Sequence, residues 1–357
     1  MTQSADAPSL PQRLPYLDGW RGIAIICVLV GHFFPVPQIN LGHFGVELFF
    51  VLSGRLMAEI LFIKKQELSE FFRRRFSRIY PALLVFVALT IIPASHSSAI
   101  LHTKRALAEI PDAVAALTFT MNYVEAIFTR GSIYTHTWSL SVEEHSYILL
   151  AILAVIVRRR VALANMLIIA ASMLCIVNGY VNFSILHLAD YQVYWRTDVR
   201  AASIFLSAAT CLTFHMLKVS ERLKATLSIA CLPIALLLFW TAIPEYVRYS
   251  LATLALALSV NSLEAAPAVL RRGLSIKVFT GIGLISYSLY LWQQPFYSAA
   301  NAVRDRLGLV GIVVLLAAAF VAAVGSYFFV EQPARKAINN FRAKKGQDAV
   351  ANSIAAN

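Results

Sequence analysis

Long apolar runs alternate with short polar segments along most of this chain of 357 residues. Each run is close to the length at which an α-helix crosses about 30 Å of hydrocarbon. The pattern predicts an all-α fold, a polytopic membrane bundle of about ten transmembrane helices. The predicted spans are residues 20–36, 43–63, 79–95, 139–157, 161–180, 199–217, 225–243, 247–266, 280–300 and 308–330.

Basic residues are grouped after every second predicted span, from the second to the tenth. These groups are Lys64, Lys65, Arg73, Arg74, Arg75 and Arg78; Arg158, Arg159 and Arg160; Lys218, Arg222 and Lys224; Arg271, Arg272 and Lys277; and Arg335, Lys336, Arg342, Lys344 and Lys345. Lysine and arginine in short loops mark the cytoplasmic side of a membrane protein. We therefore expect a multi-pass plasma-membrane protein, in a bacterium the inner membrane, with both termini in the cytoplasm.

The longest predicted external loop, residues 96–138, contains an apolar segment at 111–128 that carries Asp112, Asn122 and Glu125. A full membrane crossing there would move every later basic group to the outside. We therefore predict that this segment is a helix that lies on the surface or enters the membrane partway.

Composition agrees with a membrane protein, because only 14% of the residues are charged, against about a quarter in soluble domains. The net charge of +12 comes from groups that set orientation, so no nucleic-acid partner is predicted. The four cysteines lie in apolar runs and are expected to be buried thiols, and no His/Cys group has metal-ligand spacing. We predict a polar tail at 1–13, a membrane domain at 14–336 and a polar, disordered tail at 337–357.

Two ionisable residues, Arg21 and His32, fall on the first predicted span, eleven positions apart. Eleven residues are close to three helical turns, so the two side chains share one face, about 16 Å apart along the axis. Ionisable groups are costly in hydrocarbon and are therefore candidates for function. The pair suggests an anion site near Arg21 and a proton-transfer site at His32. The alternative is a structural histidine, hydrogen-bonded to a neighbouring helix.

Six motifs follow one another along the chain. They read LPYLDGWRGIAIICVLVGHF, FGVELFFVLSGRL, RRRFSRIYPALL, THTWSLSVEEHSYILL, GLISYSLYLWQQPFY and FFVEQPARK. With these motifs the chain resembles the membrane acyltransferase-3 family, from Leu14 to Lys336. Members of that family move acyl groups onto cell-surface glycans and related acceptors.

The resemblance implies roles for individual residues. His32 matches the essential histidine of the family, Arg21 the basic residue before it, and Glu47 a common acidic position. The other matched positions are Arg75 and Arg78 beside Arg73 and Arg74, Trp138, Ser139, Glu143 and Glu144, and the terminal Glu331, Gln332 and Pro333.

The chain also departs from the pattern of the family. Arg55 stands where an aromatic residue is common, and His145, Ser146 and Tyr147 replace a Q-F-Y-like sequence. Gln293 stands where many members have histidine, so it cannot act as a general base.

Acyl transfer to a hydroxyl needs a base, a donor site and stabilisation of an oxyanion. His32 suits the base, because an unperturbed imidazole titrates at about pH 6.5. One of Glu143 and Glu144, with Glu143 preferred, is expected to orient His32 near the outer surface, while the other complements the helix dipole. Ser139 or Ser141 is expected to cap that helix, with a nucleophilic serine as the rival interpretation.

A coenzyme-A donor carries phosphates and comes from the cytoplasm. We predict that Arg21, Arg74, Arg75 and Arg78 bind it. The predicted substrate-binding residues are Glu47, Trp138, Ser139, Tyr290 and Gln293.

The predicted function is transfer of an acyl group from acyl-CoA to a hydroxyl of a glycan or lipid-linked sugar outside the membrane. Acetyl is the acyl group that we expect. His32 serves as base or as transient acyl carrier, and no cofactor or metal is bound permanently. Membrane lipids are expected partners, and a homo-oligomer stays an open alternative. The rival functions are a proton-coupled transporter with His32, Glu47 and Glu143 as a relay, and a non-catalytic scaffold.

Overall fold

The computed structural model describes residues 14–100, 106–128, 131–157 and 160–340. Within these residues the regular structure is helical, apart from isolated β-bridges that join Ile39 to Val36 and to Trp240. The predicted all-α class is therefore confirmed. The predicted tails at 1–13 and 341–357 lie outside the described residues, as do the basic residues Arg158, Arg159, Arg342, Lys344 and Lys345.

The helices are given in chain order. They are α1 (Pro15–Phe33), α2 (Leu41–Met57), α3 (Leu68–Ile100), α4 (Ala106–Leu117), α5 (Met121–Phe128), α6 (Trp138–Ile156), α7 (Val161–Tyr180), α8 (Asp190–Tyr194), α9 (Thr197–Leu217), α10 (Glu221–Leu238), α11 (Glu245–Val247), α12 (Thr253–Asn261), α13 (Ala268–Leu274), α14 (Lys277–Leu284), α15 (Ser286–Ser326) and α16 (residues 332–340). Wider π-helical turns follow α2, α7, α11 and α15, at Ala58–Ile63, Val181–Ile185, Arg248–Ala252 and Tyr327–Glu331.

Five helical stretches of the described chain are long and apolar enough to cross a membrane. They are Pro15–Phe33, Thr135–Ile156, Val161–Ile185, Thr197–Leu217 and Gly308–Asn340. This number is typical of a multi-pass membrane protein, whereas the count of ten spans stays a prediction. The ninth predicted span, 280–300, is not one helix, because α14 ends at Leu284 and α15 begins at Ser286.

The end of the chain differs in detail from the prediction. A kink at Gly308, whose φ of 55° is a left-handed conformation that glycine adopts readily, divides α15 in two. Residues 337–340, predicted as part of the disordered tail, continue helix α16. Asn339 accepts a hydrogen bond from Arg73 at 2.6 Å, which holds α16 against α3.

The apolar segment at 111–128 forms α4 and α5, two helices of 12 and 8 residues. The segment is broken at residues 118–120, and within the described residues neither helix reaches the roughly 20 residues that a membrane crossing requires. Glu125 is buried and accepts hydrogen bonds from Thr135 Oγ1 at 2.6 Å and from the Gly131 amide at 3.3 Å. Asn122, also buried, donates to Thr197 Oγ1 at 2.9 Å. The polar residues of this segment thus bind other parts of the protein.

Helix α1 is held closely between α2 and α14. A Cβ atom added at Gly31 would lie 2.1 Å from the backbone nitrogen of Gly42, and one added at Gly22 would lie 2.1 Å from the Phe279 carbonyl oxygen. Glycine at these crossings lets the backbones meet, as small residues do between membrane helices. The close packing fixes the direction in which Arg21 and His32 point.

Candidate active site

His32 lies in the last turn of α1 and is bound by a neighbouring helix. Its Nδ1 is 2.8 Å from Oε1 of Gln293 on α15, and its ring stacks on Tyr297 at 4.5 Å between centroids. Gln293 is fully buried, and its Nε2 donates to Oε1 of Gln294 at 3.3 Å. Because an amide oxygen only accepts hydrogen bonds, Nδ1 donates the proton. The lone pair of His32 is therefore on Nε2.

The space beside His32 is bounded by a glycine. A Cβ atom added at Gly42 would lie 3.8 Å from Nε2 and 3.6 Å from Cδ2 of His32. The histidine is only half-buried. Gly42 thus leaves room for a small group next to the basic nitrogen.

A cavity of about 380 Å³ lies between α1, α2, α3, α6 and α15. Its basic lining residues are Arg21, Arg74, Arg75, Arg78 and Arg335. Apolar side chains such as Leu52, Met57 and Ile79 cover other parts of its wall. The structure therefore brings together all four arginines that the sequence predicted for donor binding, and adds Arg335.

The arginines of this cavity differ in their exposure and in their ion pairs with carboxylates. Arg75 is largely buried and pairs with two carboxylates, Glu144 at 2.6 Å and Glu143 at 3.1 Å. Its guanidinium also lies 3.6 Å from the centroid of the Tyr147 ring. Arg74 is more exposed and pairs with Glu70 of its own helix. Arg75 is thus neutralised by the protein itself.

The position of Glu143 corrects a prediction. Glu143 was expected to orient His32, but it accepts hydrogen bonds from Arg75, from Ser53 at 3.1 Å and from Tyr147 at 3.1 Å. Glu144 also binds Arg75. An arginine brought into a low-dielectric interior needs counter-charges, and the two adjacent glutamates supply them. The orienting partner of His32 is the neutral amide of Gln293 instead.

The predicted helix cap is also wrong. Helix α6 has Thr137 at its N-cap, without a side-chain cap. Ser139 is instead 2.7 Å from the hydroxyl of Tyr290, and Ser141 donates back to the Thr137 carbonyl at 3.3 Å. The Tyr290 hydroxyl donates to the His136 carbonyl. Ser139 thus joins two helices and Ser141 bonds back along its own helix, so neither satisfies the orphan amides of the helix end.

Tyr290 connects the cavity with the histidine. It lines the cavity together with Ser139, and it precedes Gln293 on α15 by three residues. Residues three apart lie on one helix face. The face of α15 that borders the cavity thus continues directly to the partner of His32.

The remaining predicted substrate residues, Glu47 and Trp138, lie in a separate aromatic cluster. Glu47 forms a fully buried ion pair with Arg200 and accepts a hydrogen bond from Thr253. The Arg200 guanidinium lies 3.7 Å from the Tyr249 ring centroid. The ring of Trp138 packs against Tyr194, at 4.9 Å. Glu47 is therefore occupied by a structural contact.

The proton relay of the transporter hypothesis has no geometric support. Within the described part of the chain, His32 binds Gln293, Glu47 binds Arg200 and Thr253, and Glu143 binds Arg75, Ser53 and Tyr147. The three proposed relay residues do not share a partner in these contacts.

The sequence interpretation did not single out Arg200, Tyr297 or the pairing role of Gln293. Arg200 could have been found from the sequence, because it lies inside the predicted span 199–217 and a charged residue there is costly without a partner. Gln293 was noted only because it cannot be a base. Its contact with His32 joins residues 261 positions apart and depends on how two helices pack.

Comparison with known proteins places the chain among acyltransferases. A family model described as an acyltransferase domain matches residues 14–331. The chain is 30% identical to the O-acetyltransferase OatA of Staphylococcus aureus strain NCTC 8325 / PS 47, over 94% of this chain and 60% of that protein. It is 26% identical to the peptidoglycan O-acetyltransferase OatA of Listeria monocytogenes, over 94% of this chain and 58% of that protein.

The chain thus spans about 60% of the length of the curated relatives that it matches. No solved structure matches it.

Proposed function

The chain belongs to the membrane acyltransferase-3 family, and we propose that it transfers an acetyl group from cytoplasmic acetyl-CoA to a hydroxyl of a glycan outside the membrane. The names of the relatives support acetyl as the group and peptidoglycan as the first acceptor to test, since both are named O-acetyltransferases and one a peptidoglycan O-acetyltransferase.

This proposal rests on the hydrogen bonding and orientation of the His32 imidazole. Its Nδ1 is bound to Gln293 and its ring is stacked on Tyr297, so the imidazole is held with a lone pair on Nε2. A positioned imidazole removes the proton of an attacking hydroxyl. The same nitrogen can first attack the thioester carbonyl, release the CoA thiolate and carry the acetyl group to the acceptor. Both routes use Nε2.

The donor site in this proposal is the cavity beside α1. Arg21 and Arg78 line this cavity, and in the proposal they bind phosphate oxygens, which arginine holds bidentately. The apolar wall suits the pantetheine arm, and the thioester then lies toward Tyr290 and Ser139. Arg21 and His32 on one face of α1 mark the two ends of this path.

We also propose an orientation in the membrane, with the donor path leading from the cytoplasm toward the outside. We place both termini in the cytoplasm of a bacterial inner-membrane protein with ten spans, as the positions of the basic groups suggest. The arginine cavity then opens to the cytoplasm, where acetyl-CoA is made. His32, at the other end of α1, then lies nearer the outer face.

Mass spectrometry of cell-surface glycans, with and without this gene, tests the proposal. We expect an acetyl unit on a glycan hydroxyl that disappears with the gene and returns when the gene is restored. Identical glycans in both strains, at equal amounts of the protein in the membrane, would contradict it.

A further inference from the structure

A second cavity, of about 770 Å³, adjoins the cavity described above. The two cavities share Arg21, Arg78 and Arg335 in their walls. The second cavity lies between α1, α3, α14 and the C-terminal helix α16. A ligand held at the three shared arginines would therefore extend into both spaces.

The second cavity is positively charged. Four basic residues line it, Arg21, Arg78, Arg335 and Lys336, against two acidic ones, Asp18 and Glu331. The acidic residues are engaged, because Asp18 is 3.4 Å from Arg21, and Glu331 accepts from Ser288 at 2.9 Å and lies 3.6 Å from Arg335. The excess of positive charge favours an anionic ligand.

Two of these cations form no direct ion pair in the part of the chain that the structure describes. Among the described residues, neither Arg78 nor Lys336 forms a hydrogen bond or an ion pair with another side chain. The amides of Gln332, Asn339 and Asn340 complete the polar wall on α16. The bond from Arg73 to Asn339 keeps that helix in place.

The first cavity offers a different environment. Arg75, which is largely buried there, is already paired with Glu143 and Glu144. Beyond the shared arginines its wall is largely apolar, from Phe49 and Leu52 to Leu140. A nucleotide with several phosphate charges fits the second cavity better, and an uncharged thioester arm fits the first.

We propose that the nucleotide diphosphate part of the acyl donor binds in the second cavity. Its phosphates lie at Arg21, Arg78 and Arg335, and Lys336 and Asn340 of α16 contact the nucleotide. Helix α16 then selects coenzyme-A thioesters over thioesters without a nucleotide. This assignment rests on the proposed function, since it takes acetyl-CoA as the donor.

Binding to the full chain in nanodiscs of neutral lipid tests the assignment. The variant Lys336→Gln/Asn340→Ala changes two residues that line only the second cavity. We expect CoA to bind about tenfold more weakly to it, because contacts with charged groups are lost, while the affinity for pantetheine stays the same. The variant Lys277→Gln removes an exposed lysine that lines neither cavity, and it should bind CoA as the wild type does.

Equal CoA affinity in the double variant and the wild type would overturn the assignment, as would an equal loss for CoA and pantetheine. The phosphate in this cavity could also come from a lipid headgroup, and nanodiscs that contain anionic lipid distinguish this source from CoA. If anionic lipid displaces CoA from the wild type but not from the variant, the cavity belongs to a lipid headgroup and the assignment is wrong. If CoA binds as expected but no acetyl group reaches an acceptor, only the proposed function fails.

Discussion

Nδ1 of His32 lies 2.8 Å from Oε1 of Gln293, a contact that joins the end of α1 to the middle of a distant helix. Because the amide oxygen accepts only, this contact selects the imidazole tautomer with a free Nε2. Gln293 is thus a positioning residue, which acts on the reaction through His32.

Replacement of Gln293 by leucine should lower kcat by about 10–100-fold, because the Nδ1–H of His32 loses its acceptor and the tautomer is no longer fixed. The KM for acetyl-CoA should stay close to that of the wild type, since Gln293 does not line the arginine cavity. Steady-state kinetics of the purified protein check both values. The variant Gln293→His keeps a hydrogen-bonding side chain and should recover part of kcat. A rise in KM alone would contradict the positioning role.

Gly42 should control access to His32. A methyl group at this position would make ordinary contacts of 3.6–3.8 Å with the imidazole, so Gly42→Ala should fold and keep activity. Gly42→Leu places more atoms beside Nε2 and should abolish transfer without loss of CoA binding. Gly31→Ala is the contrasting change, since its Cβ would lie 2.1 Å from the Gly42 nitrogen, and it should destabilise the protein. Acetyl transfer and thermal unfolding, measured in parallel, separate these effects; an active Gly42→Leu protein would refute the access role.

Arg75 and Arg78 match one motif but should behave differently. Arg75→Gln leaves Glu143 and Glu144 without their counter-charge and should cost about 3 kcal/mol of stability. Arg78 has no ion pair in the described part of the chain, so Arg78→Gln should leave stability unchanged and weaken CoA binding about tenfold. Unfolding in SDS and CoA titration check the two variants. The same pattern of losses in both would show that the structure does not distinguish their roles.

The Glu47–Arg200 pair should act on stability rather than on chemistry. Arg200→Met leaves a fully buried carboxylate unpaired and should destabilise the protein by about 3–5 kcal/mol. The double variant Glu47→Leu/Arg200→Met removes both charges and should regain much of that loss. A double-mutant cycle of unfolding free energies measures the coupling. Additive losses would mean that the two residues do not stabilise each other.

The sequence predicted what depends on local pattern. The apolar runs indicated helices, and the three-turn spacing placed Arg21 and His32 on one face of α1. The structural interpretation of His32 agrees with its hydrogen bond to a neighbouring helix, whereas its role as a base or acyl carrier stays a prediction. The basic motif after the second span indicated an anion site, and the structure places its arginines around one cavity.

What the sequence could not predict depends on contacts between helices. Glu143 and Glu144 of α6 bind Arg75, which lies 68 and 69 positions away from them along the chain. The sequence had instead indicated His32 as the partner of one of them. Ser139 binds Tyr290 across 151 positions instead of capping its own helix. Such choices are decided by which side chains the packed helices bring within reach, and no periodicity in one segment encodes them.

If His32 performs the transfer, the variant His32→Ala, which lacks the imidazole, should lose it. Purified protein in proteoliposomes is given labelled acetyl-CoA and a peptidoglycan fragment, and the labelled product is measured. His215→Ala is the matched control, since it removes an exposed histidine from another helix. We predict that His32→Ala binds CoA like the wild type but transfers acetyl about 10²–10⁴-fold more slowly, as loss of a general base implies, while His215→Ala stays active. Wild-type transfer rates in His32→Ala would show that the reaction does not need this imidazole.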